Sequence, residues 1–385
     1  MGLGVRTIYF DYNATTPLDP AVREAMLPYL GEVFGNPSSV HHVGRRARAI
    51  LDEARDRVAK VWRCQPGEVV FTSGGTESNN LAIFGTARLL RDKGRHLITS
   101  AIEHHAVLHC FEYLQRKEGF EVTFLPVDRT GRVELEAVAK VIRPDTALVS
   151  VMAANNETGT LQPVGEIGAL CRERGVLFHT DAVQWLGKEP FSGIHQFNAD
   201  LVSTCAHKIH GPKGAGALFI KSPLHPDPLL FGGGHENERR AGTENLAAIV
   251  GLVEVMERFV EVPVFASAQL LALGARLVEF VDNLTGVSFR GSRSQRLVNT
   301  VAFTVEGCDS IALLAGLDLE GICASSGSAC SAGSLTPSHV MQAMGVDAKS
   351  ANALVRFSLG RESSLLEVEH VLSYLPPLIQ RIRGW

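Results

Sequence analysis

A chain of 385 residues has room for about two or three domains, each with its own core, which excludes a disulfide-stapled miniprotein. Hydrophobic residues make up 45% and charged residues 20%, so the chain lacks the signature of disorder. The net charge of -4 gives no global cationic field, and nucleic acid is not expected as a direct partner.

In chain order, residues 66–221 alternate short β-branched runs with longer amphipathic stretches, the pattern of a mostly parallel sheet covered by helices. Strands are predicted over 68–72, 96–100, 121–126, 147–152, 176–180, 201–204 and 215–220, and helices over 77–91, 104–116, 135–142 and 164–174. The fold class is therefore α/β with about seven strands. A helical pattern over 244–260 meets Pro263, which reads as a hinge, and a second pattern covers 265–284. Strands near 287–289 and 300–305, with helices near 310–317, 338–344 and 366–382, predict a smaller α+β domain.

No window approaches the roughly 20 apolar residues of a membrane span. The stretch Ile8-Tyr9-Phe10 is cut short by Asp11 and does not read as a secretory leader, so the expected location is cytoplasmic. The seven cysteines are scattered and form no C-x-x-C pair, against both a disulfide framework and a zinc knuckle. Cys64, Cys110, Cys171 and Cys308 read as buried small residues. His105 and His109 are four apart on a helix, but without an H-E-x-x-H pattern they read as ordinary surface or core histidines.

Three segments carry chemistry. Residues 70–81 run from a strand through Gly74 and Gly75 into a helix, a turn whose free N–H groups suit a phosphate; the plain alternative is a turn capped by Thr76. Asp181 stands at the carboxyl end of an apolar strand, where ligands of open α/β sheets collect; alone it reads equally as a helix cap. Lys208 directly follows another apolar strand, and a desolvated lysine loses its proton readily and forms a Schiff base with a carbonyl. Lys213, within a turn between backbone-steering Gly and Pro, is the rival lysine. A phosphate turn, an acid for a ring nitrogen and a lysine for an aldehyde are together the three handles of pyridoxal phosphate.

With these segments, residues 10–17 and 34–39, Asn155-Asn156-Glu157-Thr158-Gly159, Arg240-Ala241-Gly242-Thr243, Ser325-Ser326-Gly327-Ser328-Ala329-Cys330 and residues 355–361 make the chain resemble the cysteine desulfurases of the class V aminotransferase group, within the fold type I pyridoxal-phosphate enzymes. The resemblance implies a large cofactor-binding domain over residues 15–261 and a small α+β domain formed by 1–14 and 262–385. It implies that Lys208 carries the cofactor, that Asp181 keeps its ring nitrogen protonated, and that Gln184 and Asn156 lie near the ring hydroxyl. Gly75, Thr76 and His207 would hold the phosphate, and His104 would stack on the ring and take part in proton transfer. Thr243 would reach the phosphate of a neighbouring subunit, which implies a homodimer with shared sites. Arg356, with Asn13 and Asn156 nearby, would grip the carboxylate of L-cysteine.

Cys330, as thiolate, would take the substrate sulfur as a persulfide and pass it to an acceptor protein in iron–sulfur assembly or another thiolation pathway, leaving alanine. The glycines and serines around it suit a mobile loop. No resident metal is expected; Cys330 is at most a transient ligand of an iron–sulfur species. Cys323, seven residues earlier, is a candidate partner for its oxidation.

Cys205 stands where the family places a phosphate-binding serine, and a thiol is the weaker donor. The chain ends at Trp385, soon after its last helical pattern, whereas related housekeeping enzymes use a longer tail to dock a scaffold, so that partnership stays open. Rival readings are a selenocysteine lyase or another class V enzyme on the same fold, which has no need of Cys330, and a scaffold without turnover, which has no need of any of these residues.

Overall fold

A computed structural model describes residues 7–327 and 337–384. Strand β1 (Ile8–Tyr9) opens the chain and is followed by α1 (Pro20–Met26) and the long α2 (His42–Trp62). Helix α1 begins where the Asp19 carboxylate accepts from the N–H groups of Ala21 and Val22 while Pro20 takes the first helical position. Helix α2 buries Ala47, Leu51, Ala54, Val58 and Trp62, a spacing of three and four that lays one apolar stripe against the rest of the molecule.

The central layer follows in the alternating order β2 (Val69–Thr72), α3 (Gly75–Leu89), β3 (His96–Ser100), α4 (His105–Lys117), β4 (Glu121–Leu125), α5 (Leu135–Val141), β5 (Thr146–Ser150), α6 (Val164–Glu173) and β6 (Leu177–Asp181). It is completed by β7 (Leu201–Cys205) and β8 (Gly216–Ile220). These seven strands form one sheet in the order β2-β8-β7-β6-β5-β3-β4. All neighbours from β7 to β4 are parallel, while β8 runs antiparallel to both β7 and β2. The physical reason is the connection: residues 206–215 are too few for a crossover helix, so the chain turns straight back. At that return Gly216 passes so close to Gly74 that a Cβ on Gly216 would lie 2.6 Å from the Gly74 Cα, which only glycine allows.

The remainder comprises α7 (Leu246–Phe259), α8 (Ala268–Asp282), β9 (Val287–Arg290), β10 (Thr300–Val305), α9 (Ser310–Leu319), β11 (Ile322–Cys323), α10 (His339–Ala343), α11 (Ala348–Ala351), β12 (Leu354–Ser358) and α12 (Leu365–Arg383). Strands β12-β10-β9 make an antiparallel sheet, and β1 pairs in parallel with β11. Pro263 lies in the connection between α7 and α8. One apolar cluster runs from Trp62, Phe178 and Phe219 through Phe265 to Phe303 and Phe357, so the two larger sheets share a continuous core.

Cys110 and Cys171 are buried as expected, but Cys64 and Cys308 are only partly so, a correction to the sequence reading. Cys64 follows the left-handed residue Arg63 that ends α2, and Cys308 sits in a turn beside the Arg383 guanidinium. No helix among the described residues is long and apolar enough to cross a membrane. Phe178, fully buried in β6, provides a test of the core. Phe178→Ala is expected to cost about 3–5 kcal/mol, read as a lower denaturant midpoint; an unchanged midpoint contradicts the packing described.

Candidate active site

The carboxyl ends of β2, β6 and β7 border a cleft of about 220 Å³, lined among others by Asn13, Gly75, Thr76, His104, Asn156, Asp181, Gln184, Cys205, His207, Lys208 and Arg356. Every cofactor- and substrate-binding residue expected from the sequence is therefore on this wall, with the exception of Thr243. That residue is exposed and lines a separate pocket beside Arg240 and Ser73. Lys213 is exposed and away from the cleft, which favours Lys208 as the reactive lysine.

Lys208 owes its place to the short return between β7 and β8. Its Nζ donates to the main-chain carbonyls of Asn13 at 2.6 Å and Ala14 at 2.7 Å. Burial, reinforced by Arg356, pulls its ammonium below the ordinary lysine range, while Cys205, Asp11 and Asp181 oppose the shift. Asp181, the last residue of β6, is buried and accepts from the Val183 N–H at 2.9 Å and from the Asn79 amide at 2.7 Å. Burial raises its carboxyl pKa; those two donors and Lys208 pull the other way. A cationic ring nitrogen arriving beside it would supply the charge partner that the buried acid lacks.

Gly74 and Gly75 give α3 a start with no side-chain cap, and the first helical bond is from the Ser78 N–H to the Gly74 carbonyl. The preceding N–H groups are thus free for an anion at the mouth of the cleft. The Glu77 carboxylate is held by Arg240 at 2.7 Å and accepts from the Ser73 N–H at 2.8 Å, and these bonds keep its pKa low against the effect of burial. Cys205 is buried at the end of β7, and burial pushes its thiol up to about 11, so it is a neutral thiol. His207 Nδ1 meets the Thr15 hydroxyl at 3.2 Å, and burial followed by Lys208 and Lys213 takes its pKa down to about 4.

His104 caps α4, its Nδ1 accepting from the Ala106 N–H at 3.1 Å, which leaves the proton of the neutral ring on Nε2. Burial, then Lys208 and the neighbouring histidines, lower its pKa to about 4. His105 stacks on His109 at 4.9 Å and contacts His339 at 4.8 Å. Among the described residues no cluster of His, Cys, Asp and Glu is placed to hold a metal ion.

Arg356, in the middle of β12, is 1% exposed yet reaches the cleft. Its Nη1 donates to the carbonyls of Asn156 at 2.8 Å and Gly327 at 2.7 Å, its Nη2 to Asp11 at 2.6 Å, and its Nε has no partner among the described residues. Cys330 lies outside the described residues, but both flanks of its segment are held at this wall. The Gly327 carbonyl is on Arg356, and the Ser338 hydroxyl donates to the Glu157 carboxylate at 2.5 Å. A Cβ on Gly327, at φ +107°, would lie 3.0 Å from that same carboxylate.

The family model for aminotransferase class V matches residues 8–371. The chain belongs to this family. It is 44% identical to the cysteine desulfurase IscS of Dictyoglomus turgidum over 379 residues, 98% of this chain and 96% of that protein. The corresponding protein of Methanosarcina thermophila is 45% identical over 98% of this chain and 93% of its own length. Among solved structures, a NifS-like protein superposes with a TM-score of 0.89 at 37% identity over 98% of this chain and all of that one. SspA in complex with cysteine gives 0.80 at 36% identity over 93% and 100%.

Two buried groups escape the sequence motifs. Glu103 has one oxygen bonded to the Ser100 hydroxyl and the Met152 N–H, the other without a partner among the described residues, and burial raises its pKa to about 8. Lys188 is 1% exposed, four residues after Gln184 in the turns that follow β6; a lysine in a turn has no sequence signal that marks it as internal.

The His104 shift has a measurable consequence. Between pH 6.5 and about 4 the unfolded chain binds a proton that the folded His104 refuses, so this residue's contribution to stability is complete above pH 6.5 and is lost as pH falls through that window. Ring resonances of His104 should titrate near 4, and His104→Gln should flatten part of the acid loss of stability seen in denaturant titrations. A midpoint near 6.5 contradicts the buried site.

Proposed function

We propose that the cleft binds pyridoxal phosphate and that the protein acts as a cysteine desulfurase through it. The observation that carries this reading is the convergence of a buried lysine with a lowered pKa, a buried acid, a neutral histidine and an uncapped helix start in one cleft, with Arg356 bonded to the Gly327 carbonyl that precedes the Cys330 segment. The donor set fits the cofactor: the α3 turn and His207 for the phosphate, Asp181 for the ring nitrogen, Lys208 for the aldehyde, and Gln184 and Asn156 for the ring oxygen. When bound, the cofactor supplies the carbonyl that captures an amino group and the ring that receives the electron pair released at Cα.

The chain's own residues do the rest. Lys208 Nζ, held below its ordinary pKa, accepts the substrate Cα proton. His104, with its proton on Nε2, serves the substrate thiol and the leaving group. Arg356 offers its unpaired Nε and, by exchanging the Gly327 carbonyl for a carboxylate, an Nη as well, so substrate binding and release of the Cys330 segment are coupled at one guanidinium. The Cys330 thiolate attacks the sulfur of bound L-cysteine. The carbon–sulfur bond breaks with its electron pair left on carbon, which ends as the methyl of alanine, and the new sulfur–sulfur bond is a persulfide for a sulfur-acceptor protein.

In this reading residues 15–261 form the cofactor domain, residues 1–14 and 262–385 form the smaller one, and the cytoplasm is the compartment. The exposed Thr243, tied to the α3 start through Arg240 and Glu77, serves the phosphate of a second copy in a homodimer.

The test is release of alanine and sulfide from L-cysteine under a reductant. Equal release by the wild type, abolished in Cys330→Ala with the cofactor absorbance retained, is the expected result. Turnover that survives Cys330→Ala points instead to selenocysteine lyase or another class V activity. Restoring a hydroxyl at the cleft with Cys205→Ser should tighten cofactor binding by roughly the 0.5–1.5 kcal/mol of a neutral hydrogen bond, measured by equilibrium titration; unchanged affinity shows that this contact does not hold the phosphate.

A further inference from the structure

One buried lysine has no role in the reaction above. Lys188 does not line the cleft, yet its Nζ lies 2.6 Å from Oε1 of Gln184 and 2.6 Å from Oδ1 of Asn13, with the face of Phe265 at 5.2 Å. Both amides belong to the cleft wall.

Their orientations are fixed by groups that can only accept. Gln184 Nε2 donates to the Asn13 main-chain carbonyl at 2.9 Å. Asn13 Nδ2 donates to the Asn156 main-chain carbonyl at 3.3 Å and to the Thr300 hydroxyl at 2.9 Å. A main-chain carbonyl has no proton to give, so both NH2 groups must point at the cleft wall and both amide oxygens must point inward, toward the same place. Two buried amide oxygens facing one another are tolerated when a donor stands between them. Lys188 is that donor, assisted on the Asn13 side by the Asn299 amide at 3.3 Å.

We infer that Lys188 is a positioning residue: by satisfying the inward oxygens of Gln184 and Asn13 it keeps their N–H groups, and the Asn13 carbonyl that binds Lys208, aimed at the cleft. The Asn13 carbonyl accepts from both Gln184 and Lys208, so the chain of contacts runs from Lys188 through one amide to the reactive amine. With its first N–H on Asn13, Gln184 presents its second N–H to the occupant of the cleft as a donor. On the function proposed above, and resting on it, the acceptor is the ring oxygen of the cofactor, whose ionised form such a donor favours.

Removing the amine leaves the inward oxygens of Gln184 and Asn13 short of a donor, so Lys188→Met is expected to lower the melting temperature somewhat, and the test reads the cleft instead. In Lys188→Met, cofactor affinity is expected to fall roughly tenfold, and the ratio of visible to near-ultraviolet absorbance of the bound cofactor to drop. Gln184→Leu should give the same spectral change, and the double variant should be no worse than Gln184→Leu alone. Wild-type affinity and spectrum in Lys188→Met, or losses that add in full in the double variant, overturn the inference.

The apoprotein provides a readout that needs no cofactor. Lys188→Met should lose roughly tenfold of the hydrogen-exchange protection of the Gln184 side-chain amide, and unchanged protection overturns the positioning role. A wild type that takes up no pyridoxal phosphate refutes the proposed function, and the exchange measurement then still decides the role of Lys188.

Discussion

The structure depends on the burial of one amide-bearing residue, Asn13. Its N–H donates to the Ser358 hydroxyl at the end of β12, its side chain bonds Thr300 at the start of β10 and Asn156 in the loop after β5, and its carbonyl receives Gln184 and Lys208 from the ends of β6 and β7. A polar group at 1% exposure must have its hydrogen bonds met inside the protein. Meeting them at one point forces four strand termini, drawn from two sheets, to converge within reach of a single side chain. The cleft is what remains between those termini.

Electrostatics follow from the same burial. Lys208, Lys188 and Arg356 stand against Asp11, Asp181 and Glu103 in a region where low dielectric disfavours every charge. Burial pulls the two lysines toward the amine and Asp181 and Glu103 toward the carboxyl. Arg356, a guanidinium that serves as a donor only, is paired instead with the Asp11 carboxylate at 2.6 Å. Proton-accepting and anion-holding tasks are thus divided by residue chemistry before any ligand enters.

Most of the central layer was legible in the sequence because buried parallel strands read as short apolar runs bounded by turn residues; strand 96–100 lies where the pattern puts it, as does strand 300–305 of the smaller antiparallel sheet. The antiparallel β8 was not specified by pattern, since strand direction lies in the length of a connection. Helices α1 and α2 carried usable signals that the reading passed over, the Asp19-Pro20 start and the apolar spacing from Ala47 to Trp62. Strand β12 was seen as a motif around Arg356 without its geometry. Site residues adjacent to glycines and strand ends were readable; Lys188 and the occupied fork of Arg356 were not, because burial and bonding partners of a long basic side chain are tertiary facts.

The pairing of β1 with β11, and of residue 13 with residues 300 and 358, carries a consequence for how the protein comes into being. Strand β1 and Asn13 are made long before their partners at residues 322, 300 and 358. While the nascent chain lacks those residues, the seven-stranded layer can condense but the wall formed by Asn13 cannot close. The cleft can therefore close only once residue 358 has been made, so a truncated chain that retains Lys208 and the whole central sheet would still present its amine without the enclosure around it.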